Sequence, residues 1–213
     1  MRKRIVLAAV VLVLAAALAH AQGHGRLFPP EDLGALEGPD RDAWQKPDQV
    51  MDALGVADGD RVADLGAGGG YFTIRLARRV GPNGMIYAED VQDEMLGSIR
   101  RRVEREQLTN VRTVKGTFDD PLLPPGLDAV LIVDTFNAFE RPVTVLTGVR
   151  ESLKQGGRVG IIEYKKDGLG PGPAMEERVD PDVVIKAADA AGLRLAKREM
   201  FLRYQYMLVF EKP

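Results

Sequence analysis

Along this chain short apolar runs alternate with stretches in which apolar residues recur every three or four positions. Val62, Ala63 and Leu65 form a brief apolar run, the pattern of a parallel strand covered on both faces. Phe72, Ile74, Leu76, Ala77 and Val80 then fall at helical spacing, which predicts a helix over Thr73 to Val80, stopped by Gly81-Pro82-Asn83-Gly84. Met85 to Val91 reads as a second strand, Asp93 to Gln107 as a helix, and Asn110 to Lys115 alternates as a third strand. Leu127 to Asp134 is apolar on both faces and is therefore central. Val143 to Lys154 is a helix ending at Gln155-Gly156-Gly157, and Arg158 to Tyr164 is a fifth strand. Asp180-Pro181 opens a helix to Ala191, with Pro181 at its first turn, and Gly192 ends it. Leu193 to Glu199 and Arg203 to Glu211 form a final strand pair. Ahead of the first strand, Asp48 is expected to cap a helix carrying Val50, Met51 and Leu54. Strands alternating with helices predict an α/β domain.

The two ends of the first 39 residues differ in kind. Arg2, Lys3 and Arg4 precede an apolar run from Ile5 to Ala19, and Ala19-His20-Ala21 supplies an A-x-A cleavage site before Gln22. That is the layout of a signal peptide over residues 1–21, with export to the periplasm, or alternatively an uncleaved inner-membrane anchor. Residues 22–39, rich in Gly, Pro and charge, read as an irregular arm before a domain over 40–213. Loss of the three basic residues takes the formal net charge from −2 to −5. A mildly acidic chain is a poor candidate for nonspecific nucleic-acid binding. The helix with Arg100, Arg101, Arg102 and Arg105 carries Glu104 and Glu106 among them, a solvated, ion-paired face. With no cysteine and two histidines, one of them in the leader, no thiolate or histidine metal cluster can be assembled.

The chemistry centres on Asp64-Leu65-Gly66-Ala67-Gly68-Gly69-Gly70 between the first strand and its helix. Glycines there permit positive φ and let a ligand approach backbone N–H groups at a helix N-terminus. A dinucleotide fingerprint fails, because Tyr71 or Thr73 stands where its third small residue belongs. An acid followed by G-x-G-x-G, here Asp64, Gly66, Gly68 and Gly70, resembles motif I of the class I S-adenosylmethionine-dependent methyltransferases. The order of elements from Trp44 to Glu211 resembles the UbiE-like branch of that family, and Leu153-Lys154-Gln155-Gly156-Gly157-Arg158 before the fifth strand is similar too.

The resemblance implies a Rossmann-like, doubly wound, mostly parallel seven-stranded sheet of order 3-2-1-4-5-7-6, with the last strand inserted antiparallel. It implies S-adenosyl-L-methionine as cofactor and transfer of its methyl group to a small-molecule acceptor. On this chain the cofactor-binding residues would be Asp64, Gly66, Ala67, Gly68, Gly70, Asp90, Val91, Phe118, Asp119 and Asp134. Asp90, 20 residues after Gly70 at a strand end and followed by Met95-Leu96, aligns with the family's ribose-binding acid better than Glu89. Gly116 to Pro124 resembles the adenine loop, but Thr117 stands where many members have Asp, leaving Asp119 or Asp120 to reach the adenine. Asp134, Thr135, Phe136 and Asn137, past the end of the fourth strand, should border the methyl group. Many relatives carry aromatic-His-His there, and Asn137-Ala138 removes that imidazole.

Methyl transfer needs a base only when the acceptor is protonated, and Asp134, Glu163 and Tyr164 are the candidates. Trp44 reads as a plug over the core edge or as a lid over the cofactor. Gly168 to Pro173 reads as a lid loop, and Tyr204 with Tyr206, on one strand face by period two, as core packing or substrate contacts. The absence of cysteine excludes the arsenic methylation of nearby relatives. A noncatalytic, exported binder of S-adenosylmethionine or a nucleoside is the alternative reading, and an NAD enzyme is disfavoured by Tyr71.

Overall fold

The computed structural model describes residues 27–213; the leader over 1–21, its cleavage site and His24 lie outside the described residues. A 3-10 stretch at Pro30–Glu37, in place of an irregular arm, leads into helices α1 (Arg41–Gln45) and α2 (Pro47–Leu54). Then come β1 (Arg61–Leu65), α3 (Tyr71–Val80), β2 (Met85–Asp90), α4 (Asp93–Arg105), β3 (Val111–Lys115) and β4 (Leu127–Val133). The chain continues through α5 (Pro142–Ser152), β5 (Leu153–Tyr164), α6 (Pro181–Ala190), β6 (Arg194–Glu199) and β7 (Gln205–Glu211). The strands form one seven-stranded sheet of order β3-β2-β1-β4-β5-β7-β6. All neighbours from β3 to β5 are parallel, and β7 runs antiparallel to both β5 and β6.

Strand alternation sorts the core onto two faces. Leu65, Val130, Ile132, Val159, Ile161, Leu208 and Phe210 pack with Leu146, Val149 and Val184 of α5 and α6. Val62, Ile86, Leu131, Ile162, Met207 and Val209 pack on the other face with Val50, Leu54, Phe72, Leu76 and Val80 of α2 and α3. Leu96 and Ile99 seat α4 on Ala88. Leu131 is fully buried in the central strand, so truncating it to Ala would cost about 2–5 kcal/mol.

Three local expectations are corrected. Pro47, not Asp48, starts α2: Lys46 is the N-cap, in the left-handed region at φ 47°, and the proline takes the first turn, where no N–H is needed. The fifth strand begins at Leu153 rather than Arg158, because Leu153 is buried and pairs with Leu127 before a register shift. Gly156 absorbs that shift at φ 73°. Tyr204 precedes β7, so it does not share a strand face with Tyr206, which is buried in the core with its hydroxyl donating to the Val179 carbonyl (3.0 Å).

The order reverses at β1: β2 lies on one side and β4 on the other. In such sheets a crevice opens beyond the strands' carboxyl ends at this point, where no crossover covers them. Among the described residues no helix is long and apolar enough to cross a membrane.

Candidate active site

The β1–α3 turn is built by backbone geometry that only glycine adopts cheaply. Gly66, Gly68 and Gly70 have φ of 70°, 53° and 81°. A Cβ on Gly66 would fall 2.3 Å from Thr135 Cγ2, so the turn after β4 presses directly on the glycine loop. Acids brace that loop from below. Asp64, buried at the end of β1, accepts from the Thr73 hydroxyl (2.6 Å) and so ties the strand to the first turn of α3. Burial pushes its carboxyl up to about 6, against the pull of the Thr73 bond.

The two acids ending β2 divide by strand alternation. Asp90 accepts from the Gly68 amide on one oxygen (3.0 Å) and from the Gln92 amide on the other (2.9 Å). A carboxylate has about four lone-pair sites, so each oxygen retains capacity for a ligand hydroxyl. Glu89 turns to the other side and accepts from the Gly66 amide (3.2 Å), while its carbonyl accepts from Ala67 N–H (2.9 Å). Burial, with the charge of Asp90 next to it, pushes Glu89 up to about 8. Its role as a brace was not read from the sequence. The signal was present, since a second acid one residue before a strand-end Asp must face the opposite side.

The other half of the crevice is made by β4, β5 and the segments over them. Asp134 sits in the left-handed region at φ 51°, a conformation costing about 1–3 kcal/mol for a non-glycine residue. Its Oδ1 is buried and has no hydrogen-bond partner. Burial pushes the Asp134 carboxyl up to about 6, while the Arg41 and Arg178 guanidinium groups pull it down. Beneath it Glu163 Oε1 accepts from the amides of Thr135 (3.0 Å) and Phe136 (2.8 Å), which holds the turn that carries Asp134. Burial, and the charge of Asp134, push Glu163 up to about 8. Burial also drives the Tyr164 phenol above its ordinary range, so at neutral pH Tyr164 is an un-ionised hydroxyl.

An aromatic wall stands over this half. The Trp44 ring on α1 lies 6.3 Å from Tyr164 and 5.9 Å from Tyr204. The loop of Gly168 to Pro173 rests on the same wall: Cβ atoms on Gly170 and Gly172 would strike the rings of Tyr204 and Tyr164. Buried Arg178 ties that loop down, donating to the carbonyls of Lys165 (2.8 Å), Leu169 (3.2 Å) and Pro173 (3.1 Å). Asn137, exposed, opens onto a neighbouring cavity of about 410 Å³ with Lys166 and Val183.

Asp64, Gly66, Ala67, Gly68, Gly70, Asp90 and Val91 thus stand at the carboxyl ends of β1 and β2, with Asp134, Tyr164 and Trp44 gathered at the adjoining ends of β4 and β5, and Asp64 itself is sealed beneath the loop. Three assignments change. Phe136 is buried against Phe139 (5.7 Å) in the core and offers the crevice no ring. Glu163 spends its Oε1 on backbone amides inside the protein, the geometry of a support rather than of a base meeting substrate. Asp119, half-buried, is held by Arg141, whose Nε donates to Oδ1 (2.5 Å) and whose terminal nitrogen meets the other oxygen, so both of its oxygens are engaged within the protein. Thr117 shapes that loop, its hydroxyl accepting from the Asp120 amide (3.0 Å). Phe118 beside it is half-buried. Among the described residues no cluster of His, Asp or Glu has a metal-holding arrangement.

A family model described as a methyltransferase domain matches residues 57–188, more than half of the chain. The chain belongs to the S-adenosylmethionine-dependent methyltransferases. It is 32% identical over 138 residues to the ubiquinone/menaquinone biosynthesis C-methyltransferase UbiE of Pasteurella multocida, covering 57% of this chain and 46% of that protein. It is 30% identical over 127 residues to the demethylmenaquinone methyltransferase of a Geobacillus, covering 59% and 53%. The chain therefore spans about half the length of these relatives. The crystal structure of a SAM dependent methyltransferase from Aquifex aeolicus superposes with a TM-score of 0.83 at 27% identity, covering 87% of this chain and all of that one. The left-handed glycine turn, with Asp90 beside it, fits the cofactor of this family: three positive-φ positions without side chains at the start of a helix, and a carboxylate with acceptor capacity to spare.

Proposed function

We propose that this methyltransferase acts on a small, flat acceptor seated between Asp134 and the aromatic wall, and that Asp134 takes the acceptor's proton. The observation that carries this reading is Asp134 Oδ1, buried and unpartnered just past the carboxyl end of β4 in a strained backbone conformation. A carboxylate oxygen kept out of water without a partner is expensive, and groups with such atoms are enriched where they meet a ligand. Gly66, Gly68 and Gly70 would receive the cofactor's backbone-facing edge and Asp90 its ribose hydroxyls. When bound, the cofactor supplies a methyl group already activated on a sulfonium, so the protein's work is alignment, exclusion of water and proton removal.

Trp44, Tyr164 and Tyr204 give the acceptor an apolar, ring-shaped surface, with the 168–173 loop closing it from solvent. The un-ionised Tyr164 hydroxyl donates or accepts one orienting hydrogen bond. The names of the relatives make a reduced quinone ring the first acceptor to try. The leader supports export of the chain to the periplasm, and fusing its first 30 residues to a periplasm-dependent reporter tests that; a silent reporter refutes it.

The functional reading is tested by incubating the full chain with S-adenosylmethionine and a reduced quinone and following S-adenosylhomocysteine release. The rate should rise with pH through about 6, as Asp134 becomes ionised, and then level. Asp134→Asn should lower it by roughly 10²–10⁴-fold. An unchanged rate in Asp134→Asn would refute the base assignment.

A further inference from the structure

The segment that leaves β5 at Tyr164 and reaches α6 at Asp180 is poorly equipped to hold itself in place. Gly170 and Gly172 have positive φ, 77° and 117°, and Pro171 and Pro173 have no N–H to donate. Yet three of its carbonyls, those of Lys165, Leu169 and Pro173, converge on one side chain. Arg178 donates to them at 2.8, 3.2 and 3.1 Å. These residues stand four apart without forming a helix, so the guanidinium supplies bonds that a helical backbone would supply for itself. Hydrogen bonds with a charged donor are the stronger kind.

Arg178 is itself planted on the sheet. It is buried, and the carbonyl of the next residue, Val179, accepts from the hydroxyl of Tyr206 on β7 (3.0 Å). Its Cζ lies 5.4 Å from the centre of the Tyr164 ring, within cation–π range. Lys165, one of the residues it grips, carries the connection further. The Lys165 amide donates to the Tyr204 carbonyl (3.0 Å), and its ammonium donates to the carbonyls of Leu202 (2.8 Å) and Arg203 (3.1 Å). A Cβ on Gly172 would fall 2.7 Å from Tyr164 Cε1, so the loop lies against that ring with no space between. One guanidinium thus links the loop to both tyrosines of the aromatic wall, to Tyr164 directly and to Tyr204 through Lys165.

We propose that Arg178 is a positioning residue for the acceptor. By holding the 168–173 loop on Tyr164 and Tyr204, it fixes the surface on which the acceptor ring is aligned with the methyl group. This rests on the reading that the acceptor sits against that wall. The bonds of Arg178 all fall on the segment after β5, so its loss leaves the glycine turn and Asp90 as they are.

Trp44, the one tryptophan of the chain, stands 6.3 Å from Tyr164 and 5.9 Å from Tyr204 and reports on the wall directly. The test compares Arg178→Met with the wild-type full chain in calorimetric titration with S-adenosylhomocysteine, acrylamide quenching of Trp44 fluorescence, and steady-state methylation of a reduced quinone. Affinity for S-adenosylhomocysteine should be unchanged, which also shows the variant to be folded. Trp44 should be quenched more readily. The kcat/KM for the acceptor should fall about tenfold or more while the KM for S-adenosylmethionine holds. Arg178→Lys, which keeps the charge but cannot reach three carbonyls at once, should fall between. Gly172→Ala, which pushes the loop off Tyr164 and leaves Arg178 in place, should reproduce the pattern and serves if Arg178→Met does not fold. Unchanged quenching and unchanged acceptor kinetics in folded Arg178→Met would overturn the proposal. So would parallel losses of cofactor affinity and acceptor turnover, the mark of general support for the fold. A wild-type chain that binds S-adenosylhomocysteine but methylates no reduced quinone would refute that acceptor instead, and the quenching measurement would still decide whether Arg178 holds the wall.

Discussion

The two halves of the crevice handle buried acids in opposite ways. In the β1–β2 half, Asp64, Glu89 and Asp90 each accept a hydrogen bond from a group of the glycine loop, its helix or its flanking turn. In the β4–β5 half, the buried oxygens Asp134 Oδ1 and Glu163 Oε2 have no partner, and Asp134 occupies a strained conformation. A satisfied network costs little to keep and holds its shape without a ligand. An unsatisfied one is costly, and its completion is left to a ligand. In the proposed function the first half holds the cofactor and the second the acceptor.

The sharpest way to break the cradle is Gly66→Ala. It forces an L-residue to φ 70° and drives its Cβ into Thr135. Strain and overpacking together should cost about 2–4 kcal/mol of stability and abolish cofactor binding; normal melting with normal affinity would show the two halves do not touch as described. Next is Asp90→Ala. Removing a carboxylate that accepts ligand hydroxyls should weaken S-adenosylhomocysteine by about 1.5–3 kcal/mol, read by calorimetry.

The contrast between halves also has a pH signature. Glu163 titrates at about 8 when folded, well above the ~4.3 of an unfolded glutamate. The native state holds a proton that the unfolded chain releases, so this group's contribution is complete below about pH 4 and is lost as pH rises through about 8. Glu163→Gln keeps an acceptor for the Thr135 and Phe136 amides but cannot ionise. Its melting temperature should fall less than wild type's between pH 5 and 8; parallel curves would mean Glu163 does not carry the proton. Glu89 contributes in the same direction, so some slope will remain. The smallest effect belongs to Asp119→Ala. Its pair with Arg141 is exposed, worth at most about 1 kcal/mol, and cofactor affinity should not move.

The strands and the glycine loop were legible because each rests on local pattern, while the strand order came from the family resemblance that the loop carried. Apolar runs such as Leu127 to Val133 can be only central strands, and three spaced glycines after an acid have few uses. What escaped depends on long-range pairing. Asp119 looks free in sequence and is taken by Arg141, 22 residues later. Phe136 follows a strand end, yet the Glu163 bonds to the Thr135 and Phe136 amides curl the turn and send its ring into the core. Glu89 and Asp90 read as alternatives for one task, while the pleat gives each its own. Leu153 looked like the end of a helix until its burial against β4 drew it into the sheet.

The most direct test of the account is calorimetric titration of the full chain with S-adenosylhomocysteine, with NAD as control. The geometry of the glycine loop and Asp90 predicts micromolar binding of S-adenosylhomocysteine and silence for NAD. Silence for S-adenosylhomocysteine would contradict the central claim that the β1–β2 half is a formed cofactor cradle.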